Sequence, residues 1–181
     1  GDRFERPRAI AAATTADRLT LELAKIRDLR YGENPHQPAA WYRPLSSDDT
    51  GSATGGFASA AVVQGKVLSY TNLLDLDAAA RIVLEFEEPA AVVVKHTNPC
   101  GVATGKSAAD AYERARAADS LAAFGGIVAL NRTLDVAAAE AIVSTFIEAV
   151  VAPDVDEAAR AILARKTNLR VVTADFEALA V

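Results

Sequence analysis

The sequence predicts an α/β fold with a largely parallel sheet, and two features of its hydrophobic pattern support this prediction. Short apolar runs, such as residues 91–94 and 127–130, are typical of strands that are buried on both faces. They alternate with segments whose apolar residues recur at the 3.6-residue spacing of a helix. This alternation is typical of βαβ units. With 181 residues, 51% of them hydrophobic and 24% charged, the chain can form one domain with a core.

The N-terminal third is predicted to contain short strands and loops. Residues 1–17 lack hydrophobic periodicity and are interpreted as a linker, whereas leucines alternate with polar residues over 18–25, which predicts a half-buried strand. Gly32, Asn34 and two prolines make residues 29–38 a rigid loop. Further short strands are predicted over 39–43 and 60–64, separated by a mobile surface loop over 44–56.

The first predicted helix precedes the most apolar strand. Asp75 or Asp77 is expected to cap it, and Pro89 stops it at about residue 88. Helical spacing defines its buried stripe, which is Leu76, Ala79, Ala80, Val83 and Phe86.

Three more helices and three strands are predicted after it. The second helix begins at Ser107 or Asp110 and runs to about residue 118. Asp135 caps the third, and the fourth opens at residues 153–154 and ends in the cations Arg165 and Lys166. Strands are expected over 91–94, 127–130 and 169–172, and the apolar face of the third helix is Ile142, Val143, Phe146, Ile147 and Val150.

The strand at 91–94 ends in Lys95 and His96, two groups that carry protons. Open α/β sheets bind ligands at the carboxyl ends of their strands, and a lysine there is rarely structural. An adjacent cation favours the neutral imidazole, which can accept a proton. The pair can serve one site only if the strand turns, and Asn98-Pro99 and Gly101 are expected to allow that turn. The pair is a candidate catalytic site, with a structural histidine as the alternative.

Two further segments contain candidate binding residues. Arg30 and Tyr31 lie in the rigid loop, where they either cap a surface or bind a phosphate group. Phe124-Gly125-Gly126 either forms a tight turn or lets the backbone approach a ligand closely. The residues alone leave these alternatives open.

Two well-known motifs are matched only in part. Residues 101–107 follow a strand and precede a helix as a P-loop does, but three residues instead of four separate the glycines. We interpret them as a turn with Ser107 as the helix cap. Pro99-Cys100 resembles part of a zinc-deaminase motif, yet the second cysteine and the upstream His-x-Glu are missing. No metal site is expected, and Cys100 is interpreted as a small buried residue rather than a nucleophile.

Composition argues against several classes of protein. A net charge of −5 argues against a nucleic-acid-binding protein, which would need a clustered basic face. No apolar run approaches the roughly 20 residues of a membrane span. A single cysteine excludes an internal disulfide, and without a secretory signal the cytosol is the expected compartment. Because the chain has no methionine and no polar C-terminal tail, we expect it to be part of a longer protein.

Three motifs occur in a fixed order: Arg-Tyr-Gly-Glu-Asn-Pro-His-Gln at 30–37, Lys-His-Thr-Asn-Pro-Cys-Gly at 95–101, and Ala-Asp-Ser-Leu-Ala-Ala-Phe-Gly-Gly at 118–126. Together they closely resemble the bifunctional purine biosynthesis family, in which AICAR transformylase is fused to IMP cyclohydrolase. The resemblance implies that 18–181 is the first subdomain of the transformylase domain. It also implies a cytidine-deaminase-like fold of three layers, α/β/α, around a mixed sheet. Residues 1–17 would then be the linker from a missing N-terminal domain, and the second transformylase subdomain would be absent.

The resemblance also implies a reaction, the transfer of a formyl group from 10-formyltetrahydrofolate to the 5-amino group of AICAR, giving FAICAR. His96 would be the general base, and Lys95 would stabilise charge on the formyl oxygen. No metal is required, and the longer protein is expected to be a homodimer that is also an IMP cyclohydrolase. By the same resemblance, AICAR would contact Arg30, Tyr31, Gly125 and Glu148, and the folate would contact Phe124 and Leu121.

Two questions remain open from the sequence. Glu148 lies opposite the apolar stripe of its predicted helix, which indicates solvent exposure rather than substrate contact.

The chain alone is either part of an enzyme or a folded but inactive module that needs the missing half, and a P-loop-like nucleotide-binding protein is a third hypothesis. Since a domain cut at Val181 would expose apolar surface, we expect the isolated chain to self-associate.

Overall fold

The computed structural model describes residues 18, 20–45, 57 and 60–179. They form a six-stranded mixed sheet between two layers of helices, together with a separate two-stranded hairpin. The three-layer α/β/α architecture is therefore confirmed. The linker predicted over 1–17 and most of the loop predicted over 44–56 lie outside the described residues.

The elements follow one another in an alternating order after the hairpin. The strands are β1 (Leu23–Leu29), β2 (Ala39–Pro44), β3 (Ala61–Gln64), β4 (Ala90–Lys95), β5 (Asn98–Thr104), β6 (Ile127–Leu130), β7 (Ala149–Ala152) and β8 (Arg170–Thr173). The helices are α1 (Tyr70–Val83), α2 (Ala108–Ala118), α3 (Val136–Val143), α4 (Glu157–Leu163) and α5 (Phe176–Leu179).

The large sheet has the strand order β3-β8-β7-β6-β4-β5. Strands β6, β7 and β8 are parallel, whereas β4 is antiparallel to both β6 and β5, and β3 is antiparallel to β8. As a result β5 runs in the same direction as β6, β7 and β8, so four of the six strands share one direction. The sheet is thus mixed and largely parallel in direction, although its most buried strand is antiparallel to its neighbours.

Each face of the sheet has its own core. Helices α2, α3 and α4 cover one face, and α1 and α5 cover the other. Along β4, Val93 packs in the first core whereas Val92 and Val94 pack in the second, which is the side-chain alternation of a strand. Residues 90–94 of β4 are fully buried on both faces, as their apolar sequence predicts. No helix among the described residues is long and apolar enough to cross a membrane.

Helix α1 begins earlier than predicted. Its N-cap is Ser69, not Asp75 or Asp77, because the Ser69 hydroxyl accepts from the amide of Asn72 while the Asn72 side chain accepts from the amide of Ser69. The helix ends at Val83, so the predicted end at residue 88 is wrong. The predicted stripe is correct for the four members that are fully buried, which are Leu76, Ala79, Ala80 and Val83.

Helix α3 is shorter than predicted. It begins after its expected cap Asp135, whose carboxylate accepts from the amide of Ala138, but it ends at Val143. Val150 lies in β7, which the sequence analysis did not predict, and Phe146 is exposed. The error arises because an apolar run on a strand that is buried on both faces fits helical spacing equally well.

Other boundaries agree to different degrees. Helix α2 begins after Ser107 as predicted, and β2, β3, β6 and β8 lie within one residue of their predicted ranges. The predicted strand over 18–25 is displaced to β1, and Leu21 and Leu23 are exposed, so their alternation does not mark a buried face. The fourth helix was predicted to run from residues 153–154 to Lys166, but α4 is shorter and spans Glu157–Leu163. Strand β5 and helix α5 were not predicted.

Candidate active site

Lys95 and His96 lie where β4 turns into β5. Lys95 pairs with Asn98, so His96 and Thr97 form a two-residue hairpin loop. Both loop residues have positive φ, 54° for His96 and 61° for Thr97, as a type I′ turn requires. The expected turn is present, but it lies at His96-Thr97, whereas Gly101 lies inside β5.

The edge of the sheet that carries this loop differs from the one expected. Because β4 is antiparallel to β6, Val94 near the end of β4 pairs with Ile127 at the start of β6. The loop therefore lies at the amino ends of β6, β7 and β8, not at the carboxyl edge where open parallel sheets bind ligands. The segments that lead into these three strands lie at the same edge of the sheet as the Lys95-His96 loop.

Lys95 connects the second sequence motif with the third. Its side chain is half-buried, and its ammonium donates a hydrogen bond to the carbonyl oxygen of Phe124 over 3.0 Å. The third motif thus lies directly beside the Lys95-His96 pair. An ammonium has three N–H donors, so this bond leaves two for other acceptors.

Gly125 lies in a turn whose backbone conformation would be strained for any other residue. Its φ is 73°, and a Cβ added there would lie 3.2 Å from the ring of Phe146. The Gly125 amide donates to the Phe146 carbonyl over 2.8 Å, and the rings of Phe124 and Phe146 pack with centroids 5.1 Å apart. Phe124 is 62% exposed and Leu121 is 86% exposed, so an uncovered apolar surface adjoins Lys95.

Glu148 does not lie on a helix, since α3 ends at Val143. The exposure inferred from its position on a predicted helix is therefore unsupported. Its Oε1 accepts from the side chain of Asn72 over 2.9 Å and from Arg170 over 3.2 Å. Its backbone amide donates to the carbonyl of Gly126 over 3.0 Å, which anchors it beside the third motif. Glu148 is thus a half-buried carboxylate held from two sides.

Asn72 and Arg170 were missed by the sequence analysis. Asn72 is 2% exposed, and its position three residues after Ser69 is a capping pattern that could have revealed it. Arg170 is the first residue of β8. A cation at the start of an otherwise apolar strand was the sequence feature that could have marked it as a candidate site residue. A cleft of about 440 Å³ adjoins the Glu148–Arg170 pair, although Lys95 and His96 do not line it.

The backbone of the His96 loop is bound by Asp75. The amide of Thr97 donates to Asp75 Oδ1 over 2.7 Å, and the amide of His96 donates to Oδ2 over 3.3 Å. The His96 carbonyl accepts from Thr97 Oγ1 and from Asn98 Nδ2, both over 2.7 Å. The His96 residue itself is exposed at the surface. Asp75 was predicted only as a possible helix cap.

Arg30 and Tyr31 lie in the loop that joins β1 and β2. The loop is closed by bonds from the Gly32 amide to the Gln37 carbonyl and from the Asn34 amide to Gln37 Oε1, both 2.8 Å long. The preceding residue, Leu29, lines a cleft together with residues of α1, the helix that contains Asn72 and Asp75. Within the described part of the chain, no hydrogen bond or ion pair joins Arg30 or Tyr31 to Lys95 or His96. Arg30 and Tyr31 are therefore not hydrogen-bonded or ion-paired to the Lys95-His96 pair.

The segment that resembles a P-loop is a capped turn. Ser107 accepts from the amide of Asp110, and the Asp110 carboxylate accepts from the amide of Lys106 over 2.8 Å. The Asp110 carboxylate therefore already accepts the hydrogen bond from the Lys106 amide that a bound phosphate would need. Gly105 packs so closely that an added Cβ would lie 2.5 Å from the amide nitrogen of Ala111.

Cys100 has the properties of a packing residue. It is half-buried against the first core, and burial raises the pKa of its thiol, with nearby Asp119 acting in the same direction. A raised pKa disfavours the reactive thiolate. Across the described ranges, no three or more His, Cys, Asp or Glu side chains are grouped to hold a metal ion.

A protein-family model described as the AICARFT/IMPCHase bienzyme matches residues 4–180. The chain belongs to this family. Among curated proteins, the bifunctional purine biosynthesis protein PurH of Cyanothece sp. is 58% identical over 156 residues, covering 86% of this chain and 29% of the relative. The PurH proteins of Synechococcus elongatus and Rhizobium leguminosarum bv. trifolii are 54% and 56% identical over 90% and 81% of this chain.

The chain spans less than a third of the length of these AICARFT/IMPCHase relatives, between 27% and 31%. Membership of the family confirms the resemblance seen in the three motifs. The activity, substrates and partners of the whole relatives do not follow directly from a match of this length.

Proposed function

We propose that this chain forms part of the AICAR transformylase site of a longer bifunctional protein. The site would transfer a formyl group from 10-formyltetrahydrofolate to the 5-amino group of AICAR, giving FAICAR in purine biosynthesis. The observation that supports this proposal most is the hydrogen bond from Lys95 to Phe124, because it joins two of the three family motifs at one edge of the sheet. Family membership supports it independently.

His96 would act as the general base of this reaction. The 5-amino group of AICAR is a poor nucleophile because its lone pair is delocalised into the imidazole ring and its carboxamide. As the nitrogen attacks the formyl carbon and a new C–N bond forms, His96 removes the proton. The bond from the formyl carbon to N10 of the folate then breaks, and N10 accepts a proton. An imidazole at an exposed turn is accessible for this role.

Lys95 would stabilise the negative charge that develops on the formyl oxygen. Its ammonium is held by the Phe124 carbonyl at 3.0 Å, so its position is fixed before the substrate binds. The two remaining N–H donors are available for the formyl oxygen. Because the formyl group is already activated on the folate, neither a metal nor a covalent intermediate is needed.

The binding roles are distributed around this pair. Glu148 has one carboxylate oxygen bound by Asn72 and Arg170, which leaves the other oxygen for AICAR. Gly125 would contact AICAR through its backbone, and Arg30 and Tyr31 would bind it from the β1–β2 loop. Phe124 and Leu121 present an exposed apolar surface that suits the ring system of a folate.

The longer protein is expected to be a cytosolic homodimer that is also an IMP cyclohydrolase. We expect residues outside this chain to complete the transformylase site, some of them from the second subunit. The exposed apolar surface at Leu121 and Phe124 is consistent with such a cover. The 181-residue chain alone is accordingly expected to transfer little or no formyl group.

The test is formyl transfer by the longer protein, unchanged and as the variants His96→Ala and Lys106→Ala. We expect transfer by the unchanged protein, near-complete loss in folded His96→Ala, and full activity in Lys106→Ala. Retained activity in His96→Ala would remove His96 as the base. ATP binding that is abolished by Lys106→Ala but not by His96→Ala, without formyl transfer, would instead support a nucleotide-binding protein.

A further inference from the structure

The loop that contains His96 adopts a backbone conformation that its own residues disfavour. His96 and Thr97 both have positive φ, where type I′ loops normally have Asn-Gly or another glycine-containing pair. Thr97 is β-branched, and positive φ is a clear outlier for such a residue. Residues of this kind persist only where the surrounding structure holds them, and they cluster at functional sites.

One carboxylate from outside the hairpin holds this loop. Asp75 accepts the Thr97 amide at 2.7 Å through Oδ1 and the His96 amide at 3.3 Å through Oδ2. Both strained residues are therefore bound by the same side chain. In the described part of the chain, no other side chain from outside the hairpin of residues 90–104 hydrogen-bonds to either residue.

Asp75 is itself on a rigid support. It lies in α1, whose next residue Leu76 is fully buried in the second core together with Val92 and Val94 of β4. The helix and the strand are thus packed together directly below the loop. The bonds to the His96 carbonyl come from Thr97 and Asn98 within the hairpin, so they cannot fix the loop relative to α1.

We infer that Asp75 is a positioning residue for the Lys95-His96 pair, which it serves by clamping the two amides of the turn; this inference rests on the proposed function. Side chains of consecutive residues in a regular strand point to opposite faces, so the place of the imidazole relative to Lys95 depends on this turn. Asp75 acts through the backbone and does not contact substrate. Displacing a reacting group by about 1 Å costs on the order of 100-fold in rate.

The experiment compares steady-state kinetics of the longer protein with those of four variants. In Asp75→Ala both amides lose their acceptor, and kcat should fall by at least about tenfold while KM for AICAR changes by less than about twofold. Asp75→Asn keeps the shape but retains only one acceptor oxygen, so its kcat should be intermediate. Asp77→Ala is the matched control, because Asp77 lies on the same helix and pairs with Arg81 over 2.9 Å. Its kcat should be unchanged.

The fourth variant tests whether the effect acts through the turn. Glycine adopts positive φ without the Cβ penalty, so Asp75→Ala combined with Thr97→Gly should recover a measurable part of the lost kcat. Hydrogen–deuterium exchange of the peptide over 95–98 provides a readout without activity. It should become faster in Asp75→Ala, while peptides from β6 and β7 stay protected.

The possible outcomes are distinguishable. Faster exchange over 95–98 with unchanged kcat would overturn this inference but not the proposed function. A rise in KM for AICAR with unchanged kcat would do the same. Should Asp75→Ala fail to fold, full activity in Asp75→Asn together with unchanged exchange over 95–98 would also overturn it. Absence of formyl transfer by the unchanged protein would overturn the proposed function, and this inference with it.

Discussion

The ammonium of Lys95 donates a hydrogen bond to the carbonyl oxygen of Phe124 over 3.0 Å, joining the end of β4 to the loop that precedes β6. The two residues are 29 positions apart in the sequence, and only the pairing of β4 with β6 brings them together. The bond gives the lysine a structural partner without using its other two N–H donors. A structural and a catalytic role for Lys95 are therefore compatible.

For Lys95→Ala we predict a loss of kcat of about 100- to 1,000-fold in the longer protein, the range for removing one donor to a developing oxyanion. Stability should change by only about 1 kcal/mol, because a single hydrogen bond from a half-buried group is lost. Lys66→Ala removes an exposed lysine after β3 and serves as the control. Near-normal turnover by Lys95→Ala would show that Lys95 is structural.

For Glu148→Gln we predict weaker AICAR binding, by about tenfold, since a hydrogen bond to a charged group contributes about 1.5–3 kcal/mol. The amide oxygen can still accept from Asn72, so the fold should be kept. Isothermal titration calorimetry measures the dissociation constant. The control is Glu140→Gln, which removes a charge from the exposed ion pair with Arg165. Unaltered AICAR affinity would mean that Glu148 does not contact AICAR and serves only to bind Asn72 and Arg170.

Gly101→Ala should destabilise the fold by about 1–3 kcal/mol or more, as overpacked cores do. A Cβ at this position would lie 1.9 Å from the backbone oxygen of Ala115, so β5 and α2 would have to separate. Chemical denaturation measures the change in the free energy of unfolding. Gly32→Ala is the control, because its nearest neighbour would be the Gln37 side chain at 3.3 Å. Equal stability of the two variants would contradict the close β5–α2 contact.

Tyr112 should make the protein less stable at alkaline pH. Burial raises the pKa of its phenol above the ordinary value of 10.0, while its hydrogen bond to Thr145 opposes the shift. Because the folded-state pKa is the higher one, the folded state holds the proton longer. Its contribution to stability is complete below about pH 10 and is lost as the pH rises through the folded pKa.

Tyr112→Phe tests this expectation by urea denaturation at a series of pH values. At neutral pH the variant should lose about 1 kcal/mol, the typical contribution of one hydrogen bond. Above pH 10 the difference from the unchanged protein should shrink, since the variant has no phenol to ionise. Parallel stability curves across the whole alkaline range would show that Tyr112 does not contribute.

The sequence predicted the starts of α2 and α3 correctly, whereas the Ser69 cap of α1 was missed. Ser107 and Asp135 each bind an amide three residues ahead, so the signal and the structure lie in the same short segment. Helix ends were predicted less well. Val150 belongs to β7, although its spacing from Val143 fits a helix, because a strand buried on both faces has no polar side to reveal its period.

The candidate site was predicted in part. Lys95, His96, Phe124 and Gly125 are grouped at one edge of the sheet as the motifs implied, and Glu148 is anchored beside them through Gly126. Asp75 was predicted as a possible cap at the start of the first helix, but its carboxylate binds the amides of His96 and Thr97. The sequence could not show this, because the contact depends on how α1 packs against β4. The pairing of Arg170 with Glu148 could not be predicted without the neighbouring strands.

By itself, the sequence determined the α/β class, the buried character of β4, the helix caps at Ser107 and Asp135 and the family to which the chain belongs. These features depend on residue type and short-range spacing, which are present in the sequence itself. Only the tertiary structure decided the direction of β4, the edge at which the candidate site lies and the partners of Glu148. Strand direction is set by pairing between residues distant in the chain, and a fully apolar strand carries no signal that distinguishes parallel from antiparallel neighbours.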